Sequence, residues 1–374
     1  MTPGGEASRA APTGLDAFVA PRSVAVVGAS DDPTAWGHHL ARGALEGAHR
    51  RDVHLVNARA AEAGATVLGR PAVRSLLDLE TVDLVAVAVP GPHVPAVVAD
   101  GLARGARGFV VVSADLDGTG DDEARRQAED ALAAQVRAGG ARLLGPSTLG
   151  LVDAAAELRL AWGRFPAGPV ALVSQSGQVG IEIAALLETH GLGLSRFVSV
   201  GSRDVGMVDV LRSLVDHGPT RAVAVYAESL GDARELAAAA AALRGTGRTV
   251  VLLAPGSSEA GARAAGSHTA ALVSGDAVVE AVARAGGMVR VRTPAALVAA
   301  CAALAQAPSS RGPRVGVVSD SGGQGVIAAD ALSAAGLVVP ALPEPTRTAI
   351  AAALPSARAV ATNPVDLVGS GETD

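Results

Sequence analysis

The stretch "PVALVSQSGQVGIEIAALLE", residues 169–188, decides how the chain is read. A short apolar run ends at Ser174, Gln175 and Ser176, Gly177 turns the chain, and a helical pattern follows. An unbroken apolar run of this length reads as a strand buried on both faces, the kind found in parallel sheets covered by helices. Hydroxyls and free N–H groups at the start of the helix form a place for an anion, helped by the positive end of the helix dipole. A Ser that only caps its own helix is the simpler alternative, and the local sequence does not choose between them.

The pattern repeats in both directions. Upstream lie "SVAVVGAS" (23–30), "DVHLVNA" (52–58), "VDLVAVAVP" (82–90), "GFVVVSA" (108–114) and "RLLGPS" (142–147). Downstream lie "RFVSVGS" (196–202), "RAVAVYAES" (221–229), "TVVLLAPG" (249–256) and "GMVRV" (287–291). Val-rich strands alternating with Ala-rich helices imply an α/β fold wound twice, with parallel sheets. After the linker "AQAPSSRGP" (305–313) a third unit begins with "RVGVVSDSGG" (314–323), "GLVVPAL" (336–342) and "NPVDLVG" (363–369). One βαβ unit and part of another is too little for an independent core, so this unit is expected to be incomplete or to need a partner. The domains are expected at 16–150, 166–305 and 313–374.

Composition sets limits. A chain of 374 residues fits about two to three domains. It is 49% hydrophobic but 2% aromatic, so its cores must be Val, Ala and Leu. All 31 basic residues are Arg, the net charge is −6 and no basic run occurs, which argues against a nucleic-acid partner. The lone Cys301 lies in "ALVAACAALAQA", where a buried thiol is expected, and it excludes a disulfide framework. The start "MTPGGEASRAAPTG" has no apolar signal region, and no apolar run reaches the roughly 18–20 residues of a membrane helix. A soluble, cytoplasmic protein is expected.

In doubly wound folds ligands sit beyond the carboxyl ends of the strands, so the turns matter most. "GASDDPTAWG" (28–37) offers Gly28, Ser30 and backbone N–H groups ahead of a helix, a place for a phosphate or pyrophosphate, or simply an ordinary βα turn. It lacks the full dinucleotide fingerprint. A nicotinamide cofactor would need an acidic residue at the end of the second strand, where Asn57 stands and only Glu62 follows several residues late. The stretch "EAGARAAGSHTAALVSGDA" (259–277) holds one imidazole, His268. No second His, Cys or close carboxylate suits a metal, so none is expected; a surface His or a phosphoryl-accepting nucleophile remain. A nucleophilic imidazole needs a carboxylate to orient it. Glu228 is the candidate, because its strand and the 249–256 strand feeding the His268 loop are successive; Asp276 is expected to cap the following helix instead.

Together "GASDDPTAWG", "LLGPSTLGLVD", "VSQSGQVG", "YAES" and "EAGARAAGSHTAAL" resemble the α-type part of the NDP-forming acyl-CoA synthetases, the family of ADP-forming acetate-CoA ligase and succinyl-CoA synthetase. The resemblance runs from about residue 16 to the end. It implies a Rossmann-like CoA-binding domain, a flavodoxin-like ligase domain and the start of a third domain. The implied reaction interconverts acyl-CoA, ADP and phosphate with carboxylic acid, CoA and ATP through acyl phosphate. His268 then matches the phosphorylated His, Glu228 the Glu that holds it, and Ser174, Gln175, Ser176 and Gly177 the phosphate turn. CoA is implied at turns matching Gly28, Ala29 and Ser30, Asn57, Val89 and Pro90, and Ser113 and Ala114. ATP or ADP with Mg2+ belongs to an ATP-grasp β-type subunit or domain, implied as the partner in an oligomer acting on a small acid such as acetate.

Three stretches depart from the family pattern. Ser147 and Thr148 replace an Asn and a Cys, "APGSSEAG" with Ala254 and Ser257 replaces a Lys- and Arg-bearing segment, and "DLDGTG" replaces the usual loop after "VVVSA". These departures keep open a second reading, a noncatalytic CoA- or acyl-CoA-sensing module like those fused to protein lysine acetyltransferases. Retention of His268 and Glu228 favours the enzyme.

Overall fold

The computed structural model describes residues 14–201, 203–256, 261, 275–306, 312–354, 356 and 358–369. Two compact units divide the chain, the first through Ala307 and the second from Pro308.

The first unit opens with the short helix α1 (Asp16–Val19) and then alternates strand and helix: β1 (Ser23–Val27), α2 (Trp36–Glu46), β2 (Asp52–Val56), α3 (Ala58–Glu62), the small hairpin β3 (Thr66–Val67) and β4 (Arg70–Pro71), β5 (Leu84–Val87), α4 (Val94–Ala103), β6 (Gly108–Val111), α5 (Asp122–Ala138) and β7 (Arg142–Leu144). The five long strands form a parallel sheet in the order β2-β1-β5-β6-β7. Strand residues point alternately to the two faces, and both faces are covered. Ala25 and Val27 enter one cluster with Phe109 and Val111, whereas Val24 and Val26 enter the other with Val110. Double coverage is the reason these segments read as unbroken apolar runs.

A second sheet follows from β8 (Gly150–Asp153), β9 (Leu158–Ala161), β10 (Ala167–Ser174), α6 (Gly177–Thr189), β11 (Leu194–Ser199), α7 (Met207–Ser213), β12 (Ala222–Tyr226), α8 (Ala233–Gly245), β13 (Thr249–Leu253), α9 (Asp276–Gly286), β14 (Val289–Val291) and α10 (Pro294–Gln306). Its order is β14-β13-β12-β10-β11-β8-β9. The parallel part matches the expectation, and the α/β class wound twice is borne out. One element differs: β8 and β9 form an antiparallel hairpin that extends the sheet beyond β11. Their run "LVDAAAELRLA" has too few apolar residues in a row to read as a parallel strand. Helix α2 of the first sheet covers β9, with Gly43 so close that a Cβ there would meet the Arg159 carbonyl at 2.2 Å. One hydrophobic cluster therefore runs from Val24 and Leu40 through Leu158 and Leu160 to Val173 and Val225.

The second unit holds β15 (Val318–Ser319), α11 (Gly322–Ala334), α12 (Glu344–Ala353), β16 (Val360–Ala361) and β17 (Val365–Asp366), with the sheet order β15-β17-β16. Among its described residues only Gly325 and Val365 are buried, and Val318, Val326 and Ile327 stand more than half exposed. So small an interior agrees with the meagre core expected of this segment. Its first turn repeats that of the second sheet. Ser319 Oγ donates to the Ser321 carbonyl at 2.7 Å and accepts from its N–H at 3.2 Å, as Ser174 does with Ser176 at 2.6 and 3.2 Å.

Candidate functional site

The turns beyond the first sheet interlock. Gly28 takes φ +87°, a conformation that favours glycine, and a Cβ there would lie 2.4 Å from the Ala88 carbonyl. Gly37 at the start of α2 sits on the Gly28 carbonyl, where an added Cβ would fall 1.8 Å away. Asn57 Nδ2 donates to the Ala29 carbonyl at 2.9 Å, while its Oδ1 accepts from Ala60 N–H at 3.0 Å and caps α3. Both ends of this amide hold turns in place. Ser113 Oγ donates to the Val89 carbonyl at 2.6 Å, and Ser30 Oγ accepts from Asp32 N–H at 3.0 Å. Gly91, next to Pro90, packs on the carbonyls of Ala114 and Asp115. All eight residues expected to face CoA therefore lie on or beside one connected rim at the strand ends.

A second set of turns lies at the ends of β10, β11 and β12. Ser176 caps α6 by accepting from Val179 N–H at 3.4 Å, so the simple capping role is present. The N–H groups of Gly177 and Gln178 find no acceptor among the described residues, so the start of α6 also keeps donors for an anion. Gly177 is required because a Cβ would meet Leu149 at 2.9 Å. Gln175 does a different job from its neighbours. Its backbone N–H donates to the Tyr226 carbonyl at 3.1 Å, and its Oε1 accepts from Glu228 and Ser229 N–H at 2.6 and 2.9 Å. The side chain thus fixes the turn that carries Glu228. Glu228 is half-buried, and burial together with its carboxylate pushes the Tyr226 phenol above its ordinary value.

The segment "GPSTLG" (145–150) joins the two sets. Ser147 N–H donates to the Ser113 carbonyl at 3.0 Å, Thr148 Oγ1 donates to the Ser199 carbonyl at 2.5 Å and accepts from Gly150 N–H at 2.9 Å, and Leu149 packs on Gly177. Thr148 is 4% exposed, so its hydroxyl ties strands together. From Val89 to Ser113, Ser147, Leu149 and Gly177 the contacts are continuous. Sequence reasoning gave this segment no such linking role. Its signal was Gly145 and Gly150 at the two ends of the segment, and Gly201 lies where a Cβ would be 3.2 Å from the Gly145 carbonyl.

Two further ties, one between the sheets and one within the second, were also missed. Arg142 Nε donates to Asp204 Oδ1 at 3.1 Å and its Nη2 to Asp209 at 3.1 Å, which anchors the loop after β11 to β7. Within the second sheet, Arg196 pairs with Asp153 across β11 and β8 at 2.7 Å. Asp276 was expected to cap a helix; Gly275 holds the cap position and Asp276 is the first residue of α9. Its carboxylate accepts from Arg290 and Arg292, which together hold it down to about 2. His268 lies outside the described residues, as does Ser257. Among the described residues there is no group of three metal-ligating side chains, and no helix is long and apolar enough to cross a membrane.

Two α/β domains in series, the second with donor-bearing N–H groups at the turn after its first parallel strand, define a doubly wound class whose ligands sit at the strand ends. Residues 22–154 match the family described as CoA binding domain, and residues 167–304 match the succinyl-CoA ligase like flavodoxin domain. The ADP-forming acetate-CoA ligase II subunit alpha of Pyrococcus furiosus is 32% identical over 95% of this chain and 76% of its own length. Subunit alpha of the I form from the same organism is 31% identical over 86% of this chain and 70% of its own. A solved structure of Candidatus Korarchaeum cryptofilum, titled dinucleotide forming acetyl-coenzyme A synthetase 1 in complex with phosphate and ADP, is 27% identical. It superposes with a TM-score of 0.86 over 95% of this chain and 76% of that one. The chain belongs to the ADP-forming acyl-CoA ligase family and corresponds to its α-type part. The chain spans about half of single-chain relatives such as the ADP-forming acetate-CoA ligase of Methanocaldococcus jannaschii, with 48% covered.

Proposed function

We propose that this chain binds CoA on the rim formed by Gly28–Ser30, Asn57, Val89–Pro90 and Ser113–Ala114, and that phosphate sits on the α6 start at Ser174–Gly177. Phosphate oxygen attacks the thioester carbonyl, the CoA thiolate leaves and takes a proton, and an acyl phosphate forms. His268 attacks the phosphorus and releases the carboxylate. Glu228 orients the imidazole through its other ring nitrogen and stabilises the positive charge that develops. An ATP-grasp β-type partner, which supplies Mg2+ to neutralise the nucleotide phosphates, returns the phosphoryl group to ADP. The acid is small, such as acetate, and the working unit is an oligomer of the two chain types.

The observation that carries this reading is the unsatisfied pair of N–H groups at Gly177 and Gln178, beside a Glu228 turn fixed by Gln175. Preorganised donors of this kind stabilise developing phosphoryl charge. To test it, the protein is incubated with acetyl-CoA and labelled phosphate without a partner. Acid-labile label is expected on the wild type, absent from His268→Ala and slowed in Glu228→Gln with CoA affinity unchanged. Tight CoA binding without label would reject the enzyme in favour of the CoA-sensing module.

A further inference from the structure

We propose that a groove on the outer flank of α2 is a separate binding site for a phosphate-bearing anion. The groove encloses about 540 Å³ and is lined by His39, Arg42, Glu46, Arg159, Trp162 and Arg164. It shares no residue with the CoA rim or the α6 turn. The chain carries a net charge of −6, yet three guanidinium groups gather here against Glu46. Arg159 uses Nε and Nη2 on Glu46, and Arg164 uses Nε and Nη2 on Glu188. The Nη1 group of each remains without an acceptor among the described residues, and the exposed Arg42 makes no ion pair among them. A guanidinium has five N–H donors, so each committed Arg still has donors to give.

The back wall is aromatic. His39 stacks on Trp162 with ring centroids 4.4 Å apart, and its Nε2 is buried with no hydrogen-bond partner among the described residues. The stacked His39–Trp162 pair gives the groove a rigid apolar wall behind the guanidinium groups. A monocarboxylate has two oxygens and satisfies one Arg fork. A phosphate carries up to two charges and three oxygens, which matches several guanidinium groups at once. Two sources share this chemistry, the diphosphate of a nucleotide and the 3′-phosphate of CoA.

The chain's two tryptophans, Trp36 and Trp162, touch each other at 5.0 Å beside this groove, so intrinsic fluorescence reads it directly. Inorganic pyrophosphate is titrated at constant ionic strength into the wild type, Arg42→Ala and Ser176→Ala. The expected result is a saturable emission change, at least tenfold weaker in Arg42→Ala and unaltered in Ser176→Ala. A response that does not saturate, equal affinity in Arg42→Ala, or loss of the signal in Ser176→Ala would overturn the proposal. Arg42 is exposed, so its replacement leaves the fold intact. Parallel titrations with ADP, CoA and dephospho-CoA then name the source. Preference for ADP assigns a nucleotide, and preference for CoA over dephospho-CoA that vanishes in Arg42→Ala assigns the 3′-phosphate.

Discussion

Replacing Arg196 by Met removes one half of a buried ion pair while keeping the length of the side chain. Arg196 is 7% and Asp153 3% exposed at the side chain. Asp153 also accepts from Ala156 N–H at 2.9 Å, and His217 Nε2 stands 3.6 Å away. Burial pushes the Asp153 carboxyl up, but the nearby His217 imidazole, the Arg196 charge and the Ala156 N–H outweigh it and hold it at about 2. A fall from 3.8 to about 2 corresponds to roughly 2 kcal/mol in favour of the folded carboxylate. Breaking a buried pair by removing one partner costs about 3–5 kcal/mol. Urea unfolding at pH 7, followed by far-UV circular dichroism, is therefore expected to show Arg196→Met less stable by about 3 kcal/mol.

The pH dependence has a defined sign. The folded carboxyl lies below its unfolded value, so its contribution is complete above about pH 4 and is lost as pH falls toward 2. In Arg196→Met the Arg196 charge and hydrogen bond are lost, so the folded value rises and stability begins to fall at higher pH. The double variant Asp153→Asn, Arg196→Met has no stranded charge and should recover much of the loss. A single-variant loss below about 0.5 kcal/mol, the scale of an exposed pair, or a double variant no better than the single, would refute the reasoning.

Two other outcomes are expected. Gly37→Ala places a Cβ 1.8 Å from the Gly28 carbonyl, so titration calorimetry should show CoA affinity at least tenfold weaker, whereas Gly218→Ala, with no atom within 4 Å, should leave it unchanged. Cys301 is fully buried and its thiol is pushed up to about 12 by burial, so a thiol reagent at pH 8 should label it only after unfolding.

The strands of the parallel sheets were legible because burial on both faces leaves an unbroken apolar signature, as in Val24–Val27 and Val170–Val173. The β8–β9 hairpin was not, since Arg159 and the Asp153–Glu157 turn interrupt that signature and its place in the sheet is set by α2. For the site, glycines whose turns demand them marked the turns correctly, at Gly28 and Gly177. The work of Gln175 and Asn57 was hidden, because a side-chain amide that bonds a backbone far along the chain leaves no local pattern. Thr148 was read as a departure from the family pattern; its hydroxyl lies inside the strand junction. The role of His268 came from the resemblance and stays with the proposed function.

The hairpin that completes the second sheet has a consequence for how such chains are rearranged over evolution. Strand β8 falls within the stretch matched as a CoA-binding domain, yet it pairs with β11 of the other sheet, and its partner β9 lies beneath α2. A gene break placed between the two matched families, after residue 154, would separate β8 from its hairpin partner and uncover a strand edge, the kind of surface that aggregates. The two halves are separate as sequence families but inseparable as folding parts. Shuffling between relatives is expected to move them as one block, with breaks tolerated at the other boundary, after α10.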